Sequence, residues 1–246
     1  MIWTALIISV GLGAGAAWII PTDSKIFKYL LAFSGAFLFG TLLTHMIPEV
    51  FHDGVGKMGW WIMLGFGVQL MLDYLSEGLE HGHFHSHGST VPWLAIIGLL
   101  LHAFIEGMPL NHNGAHGHDH SQGTFLWAIA LHKLPIALLV TGALRKAQVP
   151  LQTIGLIVVF FALATPLGAT LSNVTTIAHY APQMLAIAIG LLLHVSTTIL
   201  FESAQNHQFN LIKLIFVIAG MTLAAWMSTS LNLQENFMLG SWQIKR

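Results

Sequence analysis

His102 and Glu106 stand four residues apart inside an otherwise apolar run at residues 92–110. That spacing puts both side chains on one face of a helix, about one turn apart. A neutral imidazole beside a carboxylate suits Zn2+, Fe2+ or Mn2+, with bonds near ~2.1 Å for zinc. The plainer alternative is a hydrogen bond that steadies the helix. A second apolar run, residues 123–144, weakens that alternative by setting His132 and Lys133 at a similar depth, followed by Pro135. Proline has no N–H and disturbs the carbonyl one turn back, here that of Leu131. Helix breaks in transporters often lie at binding sites. Pro109, just after Glu106 and Gly107, disturbs the first run in the same way. Lys133 needs a partner for its ammonium in so apolar a setting, and Glu106 is the nearest candidate if the two runs pair.

Further His and acidic residues gather toward the ends of apolar runs. His45 and Glu49 repeat the His-x-x-x-Glu spacing and are followed by His52 and Asp53, a candidate entrance or gate; His194, eight residues before Glu202, is another candidate gating residue. Asp73, Glu77, Glu80 and His81 share a helix face by their spacing of four, seven and eight, a candidate exit. An interfacial polar helix end, or a hydrogen-bonded core histidine, accounts for these residues as well. Two His-rich tracts, residues 80–89 and 111–121, read as flexible metal-gathering loops.

These side chains must be held by a membrane-embedded scaffold. Of the 246 residues, 55% are hydrophobic and only 8% charged, a surface that water could not solvate. About 20 apolar residues cross a hydrocarbon core of ~30 Å as a helix. Eight blocks are long enough: 2–20, 27–50, 58–79, 92–110, 123–144, 151–172, 183–203 and 210–231. They are continuous and lack the period-two alternation of barrel strands, so the expected fold is all-α, a single domain over 1–246 with eight transmembrane helices. No Lys or Arg precedes the first block, which argues against a cleaved signal peptide. Lys25, Lys28, Arg145, Lys146 and Lys213 would fall inside, and Lys57, Lys245 and Arg246 outside, if both termini are outside. That orientation puts the 80–89 tract inside and the 111–121 tract outside. Gly11, Gly13, Gly15, Gly35, Gly40, Gly65 and Gly67 offer surfaces for close helix approach. Trp60, Trp61 and Trp93 sit at block ends as interfacial anchors.

Several classes drop out. With no cysteine, a metal must be held by imidazole, carboxylate or thioether, and the fifteen histidines are the obvious donors. A net charge of −1 leaves no basic patch for nucleic acid.

The segments Leu100-Leu101-His102-Ala103-Phe104-Ile105-Glu106-Gly107 and Ala130-Leu131-His132-Lys133-Leu134-Pro135 resemble the fourth and fifth membrane helices of the ZIP family of divalent metal transporters. His45-Met46-Ile47-Pro48-Glu49 ending the second block, Ala164-Thr165-Pro166-Leu167-Gly168 in the sixth, and the His-rich tract after the third fit the same family over nearly the whole chain. The resemblance implies a substrate site of His102, Glu106 and His132, an elevator-like movement of the first, fourth, fifth and sixth helices against the rest, and delivery of zinc, iron, manganese or cadmium to the cytoplasm. Many members have Asn after the fourth-helix His, and an acidic residue or other ligand where this chain has Lys133 and Ile136. Ala103, Lys133 and Ile136 therefore put a binuclear centre in doubt.

The expected function is transport of a divalent transition metal, zinc ahead of iron or manganese, into the cytoplasm across the cell membrane. No prosthetic group is expected, the metal being substrate. The lipid bilayer is the other partner, and pairing into a homodimer is allowed. The rivals are a membrane-embedded zinc hydrolase, for which no His-Glu-x-x-His motif is present, and a metal sensor or buffer that does not conduct.

Overall fold

The structure is a computed structural model and describes residues 2–52, 56–76, 91–111, 119–202 and 211–243. In lipid, backbone N–H and C=O groups must be satisfied within their own segment, and the described residues do so as helices, with no strand among them. In chain order these are α1 Ile2–Ala16, α2 Lys25–Thr41, α3 Ile47–His52, α4 Met58–Ser76, α5 Trp93–Gly107, α6 Asp119–Lys146, α7 Leu151–Ser172, α8 Thr175–Ala178, α9 Ala181–Glu202 and α10 Leu211–Gln243. Six stretches are long and apolar enough to cross a membrane: Lys25–Phe51, Trp93–Leu110, Gly123–Lys146, Leu151–Ser172, Ala181–Phe201 and Leu211–Ser230. α1 is a shorter apolar helix, and α4 carries Gln69 and Asp73 in an otherwise apolar run. Large apolar side chains such as Trp60, Phe160, Phe201 and Trp226 stand exposed on the outside of the bundle, as a lipid-facing surface requires.

The helix boundaries depart from the expected blocks for local reasons. α1 stops at Ala16 because Pro21 bars helix from the residue before it and Arg145 donates to the Ala17 carbonyl at 2.7 Å, capping the end from α6. α6 begins at Asp119, inside the expected 111–121 loop, and α10 runs on to Gln243, since no proline interrupts it. Pro109 acts as expected: Met108 N–H bonds the Ile105 carbonyl, which proline cannot serve, and the chain tightens into a 3-10 turn over Met108–Asn111. Pro135 and Pro166, by contrast, lie within continuous helices. Next to the carbonyl that Pro135 leaves without an N–H, the Ser9 hydroxyl of α1 donates to the Ala130 carbonyl, the kind of side-chain support that lets membrane helices tolerate proline. Between α2 and α3 the helix widens into a π turn at Leu42–Met46. Pro48 has no N–H to offer the Thr44 carbonyl, and Ser228 of α10 donates to it at 3.2 Å.

The closest helix pairs are α4 with α9, α2 with α10, α1 with α6 and α5 with α7. Two of these rest on reciprocal glycines. A Cβ at Gly107 would meet the Thr165 carbonyl and one at Gly168 the Phe104 carbonyl, while Gly65 and Gly190 stand in the same relation to Ile187 and Ile62. Of the other glycines expected to serve close approach, Gly13, Gly35 and Gly40 do so, whereas Gly11, Gly15 and Gly67 face open space.

Two apolar clusters fill the interior. One takes Val10, Ala103, Ile136, Ala164 and Val195; the other takes Leu6, Leu110, Ala130, Ala169 and Leu192. In six of the described helices the break between them holds buried polar residues: Ser9 in α1, Ser34 in α2, Glu106 in α5, His132 and Lys133 in α6, Thr165 in α7 and His194 in α9. The interior is thus a polar layer between two apolar plugs.

Candidate metal site

Glu106 is the centre of that layer. Its carboxylate is fully buried, with His102 and His132 each 2% exposed and Lys133 1% exposed. The regular turn of α5 brings His102 Nε2 to 3.4 Å from Glu106 Oε2. The other oxygen, Oε1, lies 2.5 Å from Lys133 Nζ and 3.1 Å from Thr165 Oγ1, which donates to the Ala103 carbonyl at 2.7 Å. Lys133 also stands 4.2 Å from the centroid of the Phe161 ring. Its ammonium is therefore held between a carboxylate and an aromatic face, the two environments that stabilise a desolvated cation.

The spacing of the two facing donor atoms has a chemical meaning. In a tetrahedral ion with bonds near 2.1 Å, adjacent ligand atoms lie about 3.4 Å apart. The separation of His102 Nε2 and Glu106 Oε2 is 3.4 Å. The pair thus has the separation of one edge of a tetrahedral coordination shell. The ring of His132 lies 6.4 Å from that of His102 between centroids, tilted by 57°. Among the described residues no three His, Asp or Glu side chains converge into a set that could hold a metal ion, so His132 stands beside the preformed pair without completing it.

The remaining predicted site residues lie elsewhere. His45 is half-buried in the π turn, its Nε2 without a hydrogen-bond partner among the described residues, and Glu49 is exposed one turn on. His194 lies in the polar layer but packs against α4, its ring edge-on to Phe66 at 4.9 Å. Asp73 is half-buried on α4. The side chain of His52 and the residues Asp53, Glu77, Glu80 and His81 lie outside the described residues, as do the tracts 80–89 and 112–118.

Sequence reasoning missed three members of the site. Gln69, fully buried on α4, places Oε1 2.8 Å from His102 Nδ1. A signal existed, since it is the single amide in the apolar run Met58–Leu72. Thr165 stood in the sixth-block segment that carries the family resemblance, but nothing there pointed to Glu106, and Phe161 gave no signal, because phenylalanine is an ordinary residue in a membrane helix.

Residues 75–228, more than half of the chain, match the model of the ZIP zinc transporter family. That stretch includes every residue just described around Glu106 except Gln69. No curated protein matches the sequence.

Proposed function

The chain belongs to the ZIP zinc transporter family, and on that premise we propose that the divalent metal ion it carries across the membrane is zinc before iron or manganese, moving into the cytoplasm, with His102, Glu106 and His132 holding the ion on the way. The observation that carries this reading is the 3.4 Å edge between His102 Nε2 and Glu106 Oε2. An octahedral ion with ~2.1 Å bonds would need donors about 3.0 Å apart, so the edge favours a tetrahedral ion such as zinc. A modest approach of α6 to α5 brings in His132, and water fills the fourth position, as suits an ion that has to leave again.

Charge supports a carrier over a store. Glu106 and Lys133 sum to zero, so an ion bound between neutral imidazoles keeps its two positive charges uncompensated in low dielectric. Such an ion is held weakly enough to exchange, whereas a hydrolase or buffer has to retain its metal. The flanking apolar plugs support an occluded site that opens to one side at a time. The helix pairing supports movement of α1, α5, α6 and α7 as one unit against α2, α4, α9 and α10, since the four closest pairs fall within these two groups.

The packing of α1 along α6 and of α4 along α9 supports counting both as spans, which gives eight and leaves both termini outside. His45, Glu49, His52 and Asp53 then form the entrance, with His194 as a gate. Asp73, one turn from Gln69 on α4, continues a polar face toward Glu77, Glu80 and His81 as the exit. The test is uptake into proteoliposomes with a panel of divalent ions at two pH values. Zinc is taken up fastest by the wild type, and Glu106→Ala removes most of that uptake. Equal uptake by a correctly inserted Glu106→Ala protein would sink the site.

A further inference from the structure

A histidine binds a metal through whichever ring nitrogen carries the lone pair, and the other ring nitrogen of His102 meets a side chain from another helix. Gln69 Oε1 lies 2.8 Å from His102 Nδ1. An amide oxygen only accepts hydrogen bonds, so with Oε1 as the partner Nδ1 is the nitrogen that donates. In the neutral ring the lone pair then sits on Nε2, the atom that faces Glu106 Oε2 across 3.4 Å. Gln69 is fully buried in α4, where water cannot replace it as an acceptor.

We propose that Gln69 is the positioning residue for His102: its bond to Nδ1 fixes the tautomer and the rotation of the ring, so that Nε2 and Glu106 Oε2 together present the tetrahedral edge to the ion. This rests on reading His102 as a ligand. Metal-binding histidines in general donate their other N–H to an acceptor that orients them. Here the need is sharper than usual. Without Gln69, the strongest acceptor at hand is the Glu106 carboxylate, and the ring would place its proton on Nε2 to reach it. That proton would occupy the position the ion has to take. A glutamine in the middle of an apolar helix, a feature that packing alone does not call for, is accounted for by this task.

The experiment is 15N NMR of histidine-labelled, metal-free protein in lipid, with His102 assigned by the signal lost in His102→Asn, together with zinc uptake in proteoliposomes. The wild type shows the Nδ1–H tautomer at His102. Gln69→Leu shifts it to Nε2–H and raises the half-saturating zinc concentration about 10- to 100-fold, the range seen when the partner of a metal-binding histidine is lost, while the saturated rate is kept. Gln69→Glu keeps an accepting oxygen at the same reach and raises half-saturation by no more than about threefold. An Nε2–H tautomer in the wild type would overturn the proposal. So would unchanged half-saturation in Gln69→Leu, or equal increases in the Leu and Glu variants. If Gln69→Leu fails to insert, the wild-type spectrum still decides. That spectrum is read without transport, so failure of the ion site itself, seen as full uptake by Glu106→Ala, remains a separate result.

Discussion

His45 with Glu49 and His102 with Glu106 have the same spacing in sequence and opposite settings in the fold. The second pair sits in the regular helix α5, and both its members are buried and held by residues from three other helices: Gln69, Lys133 and Thr165. In the first pair His45 belongs to a π turn, Pro48 intervenes, and Glu49 is exposed. A π turn takes an extra residue, so the side chains before and after it no longer share a face at a spacing of four. Four-residue spacing keeps two side chains on one face only where the helix is regular. On the reading proposed above, the half-exposed pair collects an ion and the buried one strips it and holds it.

The sharpest way to break this contrast is to remove one member from each pair. His102→Ala lowers zinc uptake by at least about 100-fold, since losing only an outer partner of a ligand already costs 10- to 100-fold. Glu106→Ala leaves the Lys133 ammonium buried without its counter-charge, a defect worth roughly 3–5 kcal/mol, so it is paired with Lys133→Met to separate lost binding from lost folding. The double variant inserts normally and still transports little. If uptake in these proteins stays within a few-fold of wild type while Glu49→Ala abolishes it, the roles of the two pairs are reversed.

The next effect is a change in the number of ions. Lys133 puts a fixed positive charge 2.5 Å from Glu106 Oε1, and Ile136, buried one turn beyond His132, supplies no ligand. A second divalent ion there would be repelled strongly in low dielectric. Lys133→Asp combined with Ile136→Glu replaces that charge with two carboxylates, and zinc titration then finds about one more tight ion per chain than in the wild type, released more slowly. An unchanged count would show that something other than Lys133 limits the site to one ion.

A smaller effect is expected at the outer pair. His45→Ala and Glu49→Ala raise the half-saturating zinc concentration about three- to tenfold and leave the saturated rate nearly unchanged, because a pair with one member in water binds weakly and forms no part of the barrier. A fall in the saturated rate equal to that in His102→Ala would make His45 a ligand of the transport site.

What the sequence made legible follows the same division. The α5 pair, the depth of His132 and Lys133, and the all-helical class could be read because buried ionisable residues and long apolar runs are rare and costly, and so informative. The tightening of the chain at Pro109 was equally readable, since a missing N–H has a local effect. Gln69 escaped because its partner lies 33 residues away on another helix, and no periodicity within α4 points to α5. The π turn at Leu42–Met46 escaped as well: proline at position 48 announces a disturbed carbonyl, but whether the helix kinks, widens or runs straight depends on neighbours such as Ser228. Pro135 in its unbroken helix makes the same point.

The faintest effect is expected at the tract that contains His81, His83, His85 and His87. Deleting residues 81–87 carries the comparison beyond the two helix pairs, to histidines in a low-complexity tract. Such histidines raise the local ion concentration without forming a barrier. At scarce zinc and pH 7.5 the deletion lowers uptake by about threefold, and at saturating zinc the rate stays within a few-fold of wild type. The sign of the pH dependence follows from the ligand. Unperturbed imidazole takes a proton near pH ~6.5 and then ceases to bind metal. The contribution of the tract is therefore present above that pH and lost below it, so at pH 5.5 wild type and deletion take up scarce zinc at the same rate. The measurement is the ratio of their initial rates at the two pH values. A threefold gap that persists at pH 5.5 would mean the tract does not work through metal binding, and loss of the saturated rate would move it from the mouth of the path into the path itself.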